Sequence, residues 1–343
     1  MKAKILELLR ERTDYVSGQE LCENFQVSRT AVWKAVNQLK KEGYEIEAVQ
    51  NKGYRLKVPG EEQDIYGQNE LTSRIHTKWV GKPAHFYESL GSTNIQAKME
   101  AESGAASGTL IVADRQTAGR GRRGRNWNSP DGTNIYFTLL LKPEFAPDKA
   151  SMLTIVMAMA VETGIRKCLG NIGKGSQSAC KNSLQIGIKW PNDIVINGKK
   201  VCGILTEMSM ERDYIQHVVI GVGINVKKQE FPPEIAQTAA ALEPECGVKL
   251  VRCALIGEIM QAFEEYYERF LEAEDLSVLK ADYNAVLVNK DREVCVLDPK
   301  GEFKGVARGI DDAGELLVER EDHSIVKVYA GEVSVRGIYG YVS

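Results

Sequence analysis

Arg115-Gln-Thr-Ala-Gly119-Arg120-Gly121-Arg122-Arg123-Gly124-Arg125-Asn-Trp127 carries five arginines, three glycines and no acidic residue. It follows Thr109–Ala113, an apolar run that reads as a buried strand, so the segment is a loop leaving a sheet. Arginine offers planar, permanently charged donors that match carboxylate and phosphate oxygens in pairs. Glycine lets the backbone approach a ligand closely. Such a segment is expected to repel itself when empty and to order around an anion. A solvated basic loop or a nucleic-acid patch would carry the same composition, and only the rest of the chain separates these readings.

Outward from the loop, strands and helices alternate. Ala84–Glu88 reads as a strand, Ser92–Glu102 as a capped helix, and Ile135–Leu141 as a strand. Asp148–Leu169 is a long helix, apolar nearly all round and therefore buried. Leu184–Lys189, Asp193–Ile196, Val201–Glu207 and Ile215–Gly221 follow as strands, and Arg252–Glu272 and Leu276–Leu287 as helices. Gly170–Ser183 and Lys227–Gln237 read as exposed loops. The pattern predicts an α+β unit over 65–287, a mixed sheet with helices packed on it.

The first 58 residues form a separate head. Lys2–Arg12 is amphipathic, Ser17 caps a helix over Gly18–Phe25 in a capping box with Glu20, and Ser28 caps a third helix to about Lys41. On that third helix Val32, Ala35, Val36 and Leu39 make one buried stripe and leave Arg29, Thr30, Trp33, Lys34 and Asn37 outside. Two alternating stretches, Tyr44–Val49 and Gly53–Val58, then pair around Gln50-Asn51-Lys52. This is a winged helix-turn-helix, whose third helix enters the major groove and whose hairpin reaches the backbone. An interaction module of the same shape is the alternative. Pro59–Asp64 is the linker. Residues 288–343 hold short strands split by Gly and Asp turns, which predicts a small SH3-like β-barrel.

Bulk properties narrow the function classes. The chain has 343 residues, enough for two or three domains. Its longest apolar run, Ile155–Val161, is too short for a membrane span, and the amphipathic N-terminus is no signal peptide, so the cytoplasm is expected. Seven cysteines without a Cys-x-x-Cys read as reduced thiols, and four scattered histidines argue against a structural metal. The head holds 11 Lys and Arg against 8 Asp and Glu, whereas the remainder holds 33 against 39. A basic head on an acidic body suits a polyanion such as DNA.

Several further motifs bear on chemistry. Lys189-Trp-Pro-Asn192-Asp193 puts a lysine at a strand end, a fixed point charge for a phosphoryl or carboxylate centre. Asn192-Asp193 is either an ordinary turn or a place from which Asp193 reaches magnesium. Gly221-Val-Gly223-Ile-Asn225 follows an apolar strand: the glycines permit close approach and Asn225 offers a donor–acceptor pair for an adenine edge. The third glycine and helix of a dinucleotide fingerprint are missing, so a Rossmann site fits poorly. Ser92-Thr93-Asn94 caps a helix and also has hydroxyl and amide groups for a neutral polar ligand such as a ureido ring. Trp127 is a stacking surface or a core residue.

In this order, Ser92-Thr93-Asn94, Gln116…Gly119-Arg-Gly-Arg-Arg-Gly-Arg125-x-Trp127, Lys189-Trp-Pro-Asn-Asp193, Cys202-Gly-Ile-Leu205 and Gly221-x-Gly-Ile-Asn225 resemble the biotin–protein ligases. With the winged head, the chain is similar to the bifunctional bacterial ligases that double as biotin operon repressors. The resemblance implies ATP, magnesium and biotin, a biotinyl-5′-AMP intermediate, and transfer to a lysine of a biotin carboxyl carrier protein. It places Ser92, Thr93, Asn94, Gln116, Gly119 and Arg120 at the biotin end, with Gly221 and Gly223 leaving room for its rings. Arg122 would hold the anhydride and Lys189 would bridge the biotin carboxylate and α-phosphate. Arg120, Arg122 and Lys189 are thus the catalytic set, and Arg125, Trp127, Asn192 and Asn225 would complete the ATP end.

The same resemblance implies a homodimer of adenylate-loaded chains on a palindromic operator, competing with the carrier protein for one surface. Ser28, Arg29, Thr30, Trp33, Lys34 and Asn37 are then the groove-facing candidates, with Lys52 and Arg55 near phosphate. A ligase whose head no longer reads DNA, a lipoate-type ligase and a pure regulator are the competing readings.

Overall fold

The computed structural model describes residues 1–57, 63–173, 184–297, 301–329 and 334–337. The head forms as its caps and stripe dictate. Helices α1 (Lys2–Glu11), α2 (Gly18–Phe25) and α3 (Arg29–Lys41) precede strands β1 (Ile46–Val49) and β2 (Gly53–Leu56). Ser17 Oγ accepts from Glu20 N at 3.0 Å and Ser28 Oγ from Ala31 N at 3.3 Å, each meeting an otherwise orphaned amide. Val32, Ala35, Val36 and Leu39 are buried against Ile5, Leu6, Leu9 and Leu21. Gly53 takes φ +117°, and a Cβ there would run into the Val16 carbonyl, which pairs with the Tyr54 amide at 2.8 Å. That close crossing holds the wing against the helices.

The linker stretch 58–62 lies outside the described residues. Helix α4 (Gln68–Arg74) comes next, followed by β3 (Ala84–Leu90), α5 (Thr93–Glu102), β4 (Leu110–Gln116) and β5 (Ile135–Leu141). Then come α6 (Leu153–Gly173), β6 (Ile186–Lys189), β7 (Asp193–Ile196), β8 (Lys199–Glu211), β9 (Tyr214–Ile224), α7 (Leu242–Cys246), α8 (Arg252–Ala273) and α9 (Lys280–Val286). The seven strands order β3-β4-β5-β9-β8-β7-β6, with β3 and β4 parallel and the other pairs antiparallel. This is the expected mixed sheet. One face packs on α6 and α8 in a core that includes Val112, Phe137, Ile220 and Phe263. The other face carries α5 on Ile111, Leu140 and Val219, and beyond α5 it is left open.

Strands β10 (Glu293–Leu297), β11 (Phe303–Ile310), β12 (Leu316–Glu319), β13 (Ile325–Val328) and β14 (Ser334–Gly337) form one antiparallel sheet in the order β13-β12-β11-β10-β14. Val294, Val296, Ala307, Leu316 and Val318 join the core of the large sheet, so this C-terminal sheet is packed onto the central unit. Among the described residues it is a five-stranded sheet, and no register joins β13 to β14 to close a barrel.

Several boundaries differ from the sequence reading. The first turn of the long helix, Pro147–Met152, is a 3₁₀ segment because Pro147 and the polar Asp148-Lys149 precede the apolar run. Strand β9 runs through to Ile224, so Gly221 and Gly223 lie inside it. Helices α4 and α7 are additional, and most of the 170–183 insertion, from 174 on, lies outside the described residues.

Head and body meet at α4. Glu70 is 2 % exposed and pairs with Arg10 of α1, accepts from Tyr44 Oη at 2.7 Å and from Arg74 Nε at 2.9 Å. Arg10 also donates to Ser73 Oγ at 2.6 Å. Burial of a carboxylate is tolerated because both oxygens are met by charged or polar donors.

On β9, His217 is 2 % exposed and neither ring nitrogen has a partner among the described residues. Burial lowers its proton affinity, Lys98 and Lys142 add to that, and Glu102 opposes it. The folded state therefore keeps the neutral ring, while the unfolded chain takes up a proton below about pH 6.5. Stability is full above that pH and falls as pH drops through the lowered folded value, by at most about 1.4 kcal/mol per pH unit. His217→Leu is expected to remove this part of the slope. Urea denaturation at pH 7.5 and 5.5 checks it, and equal pH dependence in both proteins would count against the assignment.

Candidate active site and winged-helix surface

The strand register builds the site. Ala113, Tyr136, Gly223, Gly203, Asp193 and Lys189 are successive partners across β4, β5, β9, β8, β7 and β6, so they share one rung on the open face. Ile111, Thr138, Gly221 and Leu205 form the adjacent rung. The two glycines in the middle of the first rung make a trough with a polar, charged end at Asp193 and Lys189. A cavity of 620 Å³ lies over it, within the range of small-molecule sites.

One end of the cavity is rich in hydroxyl and amide groups, with the exposed Arg120 close enough to act on the Glu207 carboxylate. Ser92, Thr93 and Asn94 are buried at the start of α5. Ser92 stands at the N-cap, but its hydroxyl makes no capping bond. Gln116 takes that place: its Oε1 accepts from Thr93 N at 2.9 Å and Thr93 Oγ1 at 3.1 Å, while its amide donates to Ser129 Oγ at 3.1 Å. Thr138 Oγ1 donates to Asn94 Oδ1 at 2.6 Å, and Asn94 Nδ2 donates to Glu207 Oε2 at 2.7 Å. Thr138 and Glu207 were not singled out from sequence. Burial pushes the Glu207 carboxyl up, but bonds from Lys98 and Asn94 outweigh it and hold it below its ordinary value. Gly221 faces Asn94 so closely that a Cβ would land in its amide. The expected room for ligand rings above Gly221 is thus taken by a side chain of the protein.

The arginine segment, expected to repel itself, is folded as a short hairpin over the trough. Gly121 N donates to Arg125 O at 2.7 Å and Trp127 N to Gly119 O at 3.0 Å. Arg123 turns the chain at φ +58°, with Gly124 at φ +70°. Backbone bonds thus offset the repulsion, and Arg123 and Arg125 are exposed while lining the cavity. Gly119 does not line the cavity; a Cβ there would meet the Trp127 carbonyl at 2.5 Å and Ser129 Oγ at 2.7 Å. Trp127 lies on the glycine rung: a Cβ on Gly223 would sit 2.5 Å from its Nε1, and one on Gly203 3.0 Å from its Cζ3. Its Nε1 is buried without a hydrogen-bond partner among the described residues. The room expected at Gly223 is filled by this indole, which becomes a wall of the cavity.

The other end is cationic. Arg122 Nη1 donates to Asn192 Oδ1 at 3.0 Å, and Asn192 Nδ2 donates to Ile204 O at 2.9 Å. Burial pushes the Arg122 guanidinium down against the pull of Asp193. Lys189 is 6 % exposed and lines the cavity. Sequence reasoning missed Lys200. Its Nζ lies 2.5 Å from Asp193 Oδ1 and 5.5 Å from the centre of the Trp127 ring. It sits in what reads as a plain Asn197-Gly198-Lys-Lys hairpin, but a register shift between Ile194 and Val195 re-aims the strand opposite. Asn225 reaches the cavity with its Nδ2 donated to Ala240 O at 3.1 Å.

The C-terminal sheet braces this end. Trp190, next to Lys189, donates from Nε1 to the Gly314 carbonyl in the β11–β12 turn at 3.0 Å, and its backbone N donates to Asn289 Oδ1 at 3.0 Å. Asp193 and Glu234 are the carboxylates in the cavity lining. Asp193 is already met by Lys200, and no cluster of three His, Cys, Asp or Glu side chains forms among the described residues. Among the described residues these donors make no closed metal cage of protein groups alone, whereas a magnesium ion carried on ATP phosphates calls for only one or two carboxylates.

On the head, Ser28, Arg29, Thr30, Trp33 and Lys34 are exposed on α3 and Asn37 is half-buried; Trp33 is 58 % exposed, unusual for an indole. Arg29 donates to Gln19 Oε1 at 3.0 Å. Lys52 is exposed at the wing tip. Arg55, on the wing, is partly exposed, lies 2.8 Å from Glu47 and stacks 4.7 Å from the Tyr15 ring centre. Bonds from Tyr15 and then Arg55 hold the Glu47 carboxyl down at about 2.

Comparison with known proteins agrees with this architecture. Residues 88–225 match the biotin/lipoate A/B protein ligase family, 2–55 an HTH domain and 291–336 the biotin protein ligase C terminal domain. The chain is 37 % identical to the bifunctional ligase/repressor BirA of Bacillus subtilis, across 98 % of each chain. It is 28 % identical to the protein of that name from Escherichia coli, across 97 % of this chain and 96 % of the other. Among solved structures, biotin protein ligase from Aquifex aeolicus in complex with biotin and ATP superposes with a TM-score of 0.60 at 28 % identity, covering 75 % of this chain and 99 % of that one. The chain belongs to the biotin protein ligase family.

If Trp127 is seated on the glycine rung, Gly223→Ala must displace it. The expected outcome is a red-shifted tryptophan emission with easier acrylamide quenching and little change in the circular dichroism. Unchanged emission and quenching would show that the indole does not depend on this glycine.

Proposed function

We propose that this protein activates biotin with ATP, transfers it to a lysine of a biotin carboxyl carrier protein, and represses transcription when loaded with the adenylate. The observation that carries the ligase reading is one cavity with an amide- and hydroxyl-rich end and a cationic end, laid across two adjacent rungs of the sheet. Biotin has the matching polarity, with a neutral ureido ring at one end and a carboxylate at the other. In this reading Ser92, Thr93, Asn94, Gln116 and Arg120 hold biotin, with Gly119 and Gly221 serving indirectly through the side chains packed on them.

In the first step a biotin carboxylate oxygen attacks the α-phosphorus, a C(O)–O–P linkage forms, the bond to the β-phosphate breaks and pyrophosphate leaves. The chain's part is to hold positive charge where negative charge gathers, and preorganised donors of this kind contribute roughly 3–4 kcal/mol each. Arg122 is fixed by Asn192 and is assigned to the anhydride. Lys189 retains the bridging role and shares it with Lys200, whose Nζ lies beside Asp193 and Trp127. Arg125 meets phosphate, Trp127 packs on adenine, and Asn192 and Asn225 line the nucleotide's path. In the second step the neutral ε-amine of the acceptor attacks the acyl carbon, AMP leaves with the electron pair, and the amine's proton passes to solvent. Magnesium would accompany the ATP phosphates, and no step is assigned to it. The reaction requires ATP, which the cytoplasm supplies.

For repression, the adenylate-loaded chain is taken to pair with a second copy and to present two heads to a palindromic operator. Ser28, Arg29, Thr30, Trp33, Lys34 and Asn37 then face the groove, and Lys52 and Arg55 the backbone. The three parts of the chain are the head 1–58, the ligase unit 65–287 and the C-terminal unit 288–343. No helix among the described residues is long and apolar enough to cross a membrane.

Incubation with ATP, magnesium and either biotin or lipoate, read by mass spectrometry, tests the ligase reading. Biotinyl-5′-AMP is expected, and lipoyl-AMP alone would move the protein to lipoate chemistry. Lys189→Ala and Lys200→Ala should each slow adenylate formation by roughly 10²–10³-fold, and undiminished activity in either would remove that lysine from the mechanism. Operator binding should weaken steeply with salt, and Lys34→Ala should lower the slope of log affinity against log salt by about 1. Operator affinity that ignores the adenylate would refute its corepressor role.

A further inference from the structure

Arg252, the first residue of α8, is 4 % exposed and joins segments distant in sequence. Its backbone N and Nε donate to the two Asp64 oxygens, each at 2.9 Å, at the point where the head's tether ends. Its Nη1 donates to Asp114 Oδ1 at 2.9 Å and to the Asn134 carbonyl at 3.2 Å, and its guanidinium stacks 3.8 Å from the centre of the Tyr66 ring. Asp114 immediately precedes the arginine loop, and its oxygens also accept from Gly132 N, beyond the loop, at 3.1 Å. Lys227, the first residue of the 227–237 loop, pairs with Asp64 Oδ2 at 2.7 Å. Asn134 Oδ1 accepts from Val226 N at 3.0 Å and from Gln229 Nε2 at 3.1 Å.

Arg252 thus grips the root of the arginine loop directly at Asp114 and that of the 227–237 loop through Asp64 and Asn134, and Asp64, at the end of the head's tether, is fastened to the same arginine. Apolar packing would hold three segments together with less desolvation, so a buried ionic cluster here specifies geometry rather than adding stability. None of Asp64, Asp114 and Arg252 lines the cavity.

We propose that Arg252 is a positioning residue of the ligase reaction: it holds the roots of the arginine loop and the 227–237 loop in one joint with the head's tether, and so sets how long the adenylate stays enclosed. This rests on the ligase reading above. The joint acts after bond formation, on retention, because it grips the loops at their roots and leaves Arg122, Lys189 and Lys200 in place. Asp64 makes the joint sensitive to the head, since it is the carboxylate shared by Arg252 and Lys227.

The test uses full-length wild type, Arg252→Lys and the near-isosteric Asp64→Asn. Each receives biotin and ATP, and two rates are measured: adenylate formation in a single turnover, and departure of biotinyl-5′-AMP into a chase. Formation is expected to stay within about twofold of wild type, and departure to rise about tenfold in Arg252→Lys and about threefold in Asp64→Asn. A role confined to stability would lower the unfolding midpoint and leave both rates unchanged. If Arg252→Lys does not fold, Asp64→Asn decides alone. Departure within twofold of wild type in every folded variant overturns the proposal. A wild type that forms no adenylate overturns the ligase reading and the proposal with it, so the two failures are distinct.

Discussion

Two facing glycines, Gly203 in β8 and Gly223 in β9, are the constraint on which the site depends. Glycine inside a strand weakens it, having no side chain to pack and more freedom to lose. Here the loss is offset by what lies on the vacated surface. The Trp127 indole rests on the pair and carries the arginine hairpin down onto the sheet. Arg122 can then reach Asn192, and Lys200 comes to lie by the ring. A methyl group at Gly223 would lift the tryptophan, and with it the arrangement of cations, while one at Gly203 would press on both the ring and Lys200.

Bringing Arg122, Lys189 and Lys200 into one cavity is electrostatically unfavourable in itself. The protein offsets this with Asp193 against Lys200 and with the Asn192 side-chain amide oxygen against Arg122, both on the short β6–β7 hairpin. That hairpin is held from behind, where Trp190 reaches the Gly314 carbonyl and Asn289. The C-terminal sheet therefore contributes to the chemistry without entering the cavity: it stiffens the platform on which opposite charges are balanced. Charge held in place before the reaction does not have to be gathered during it.

Local features were the most legible in the sequence. The caps at Ser17 and Ser28 and the stripe Val32, Ala35, Val36 and Leu39 depend on neighbours three or four residues away, and the structure reproduces them. The arginine run pointed to an anion through residue type, but only its order with Lys189-Trp-Pro-Asn-Asp193 and Gly221-x-Gly-Ile-Asn225 separated that reading from a plain basic loop. What could not be read depends on register and on long-range partners. Lys200 is re-aimed by a bulge, and Gln116 caps a helix that begins 23 positions earlier. Helix α4 escaped notice because it is short and two of its three buried residues, Glu70 and Ser73, are polar, so that Leu71 alone carries the apolar signal. Gly221 and Gly223 were correctly seen as places of close approach, but the approaching groups are the protein's own Asn94 and Trp127.

The buried glutamate of α4 also bears on how such a chain could be assembled from parts. A winged head is often regarded as a module that can be exchanged between proteins. Here Glu70 draws two of its partners, Arg10 and Tyr44, from the head and one, Arg74, from its own helix. A head taken from elsewhere would need an arginine and a tyrosine at matching positions, or it would leave a buried carboxylate half satisfied, a defect that commonly costs several kcal/mol, about 3–5. The ligase unit thus selects which heads it will accept, and recombination between distant relatives is restricted by one acid group.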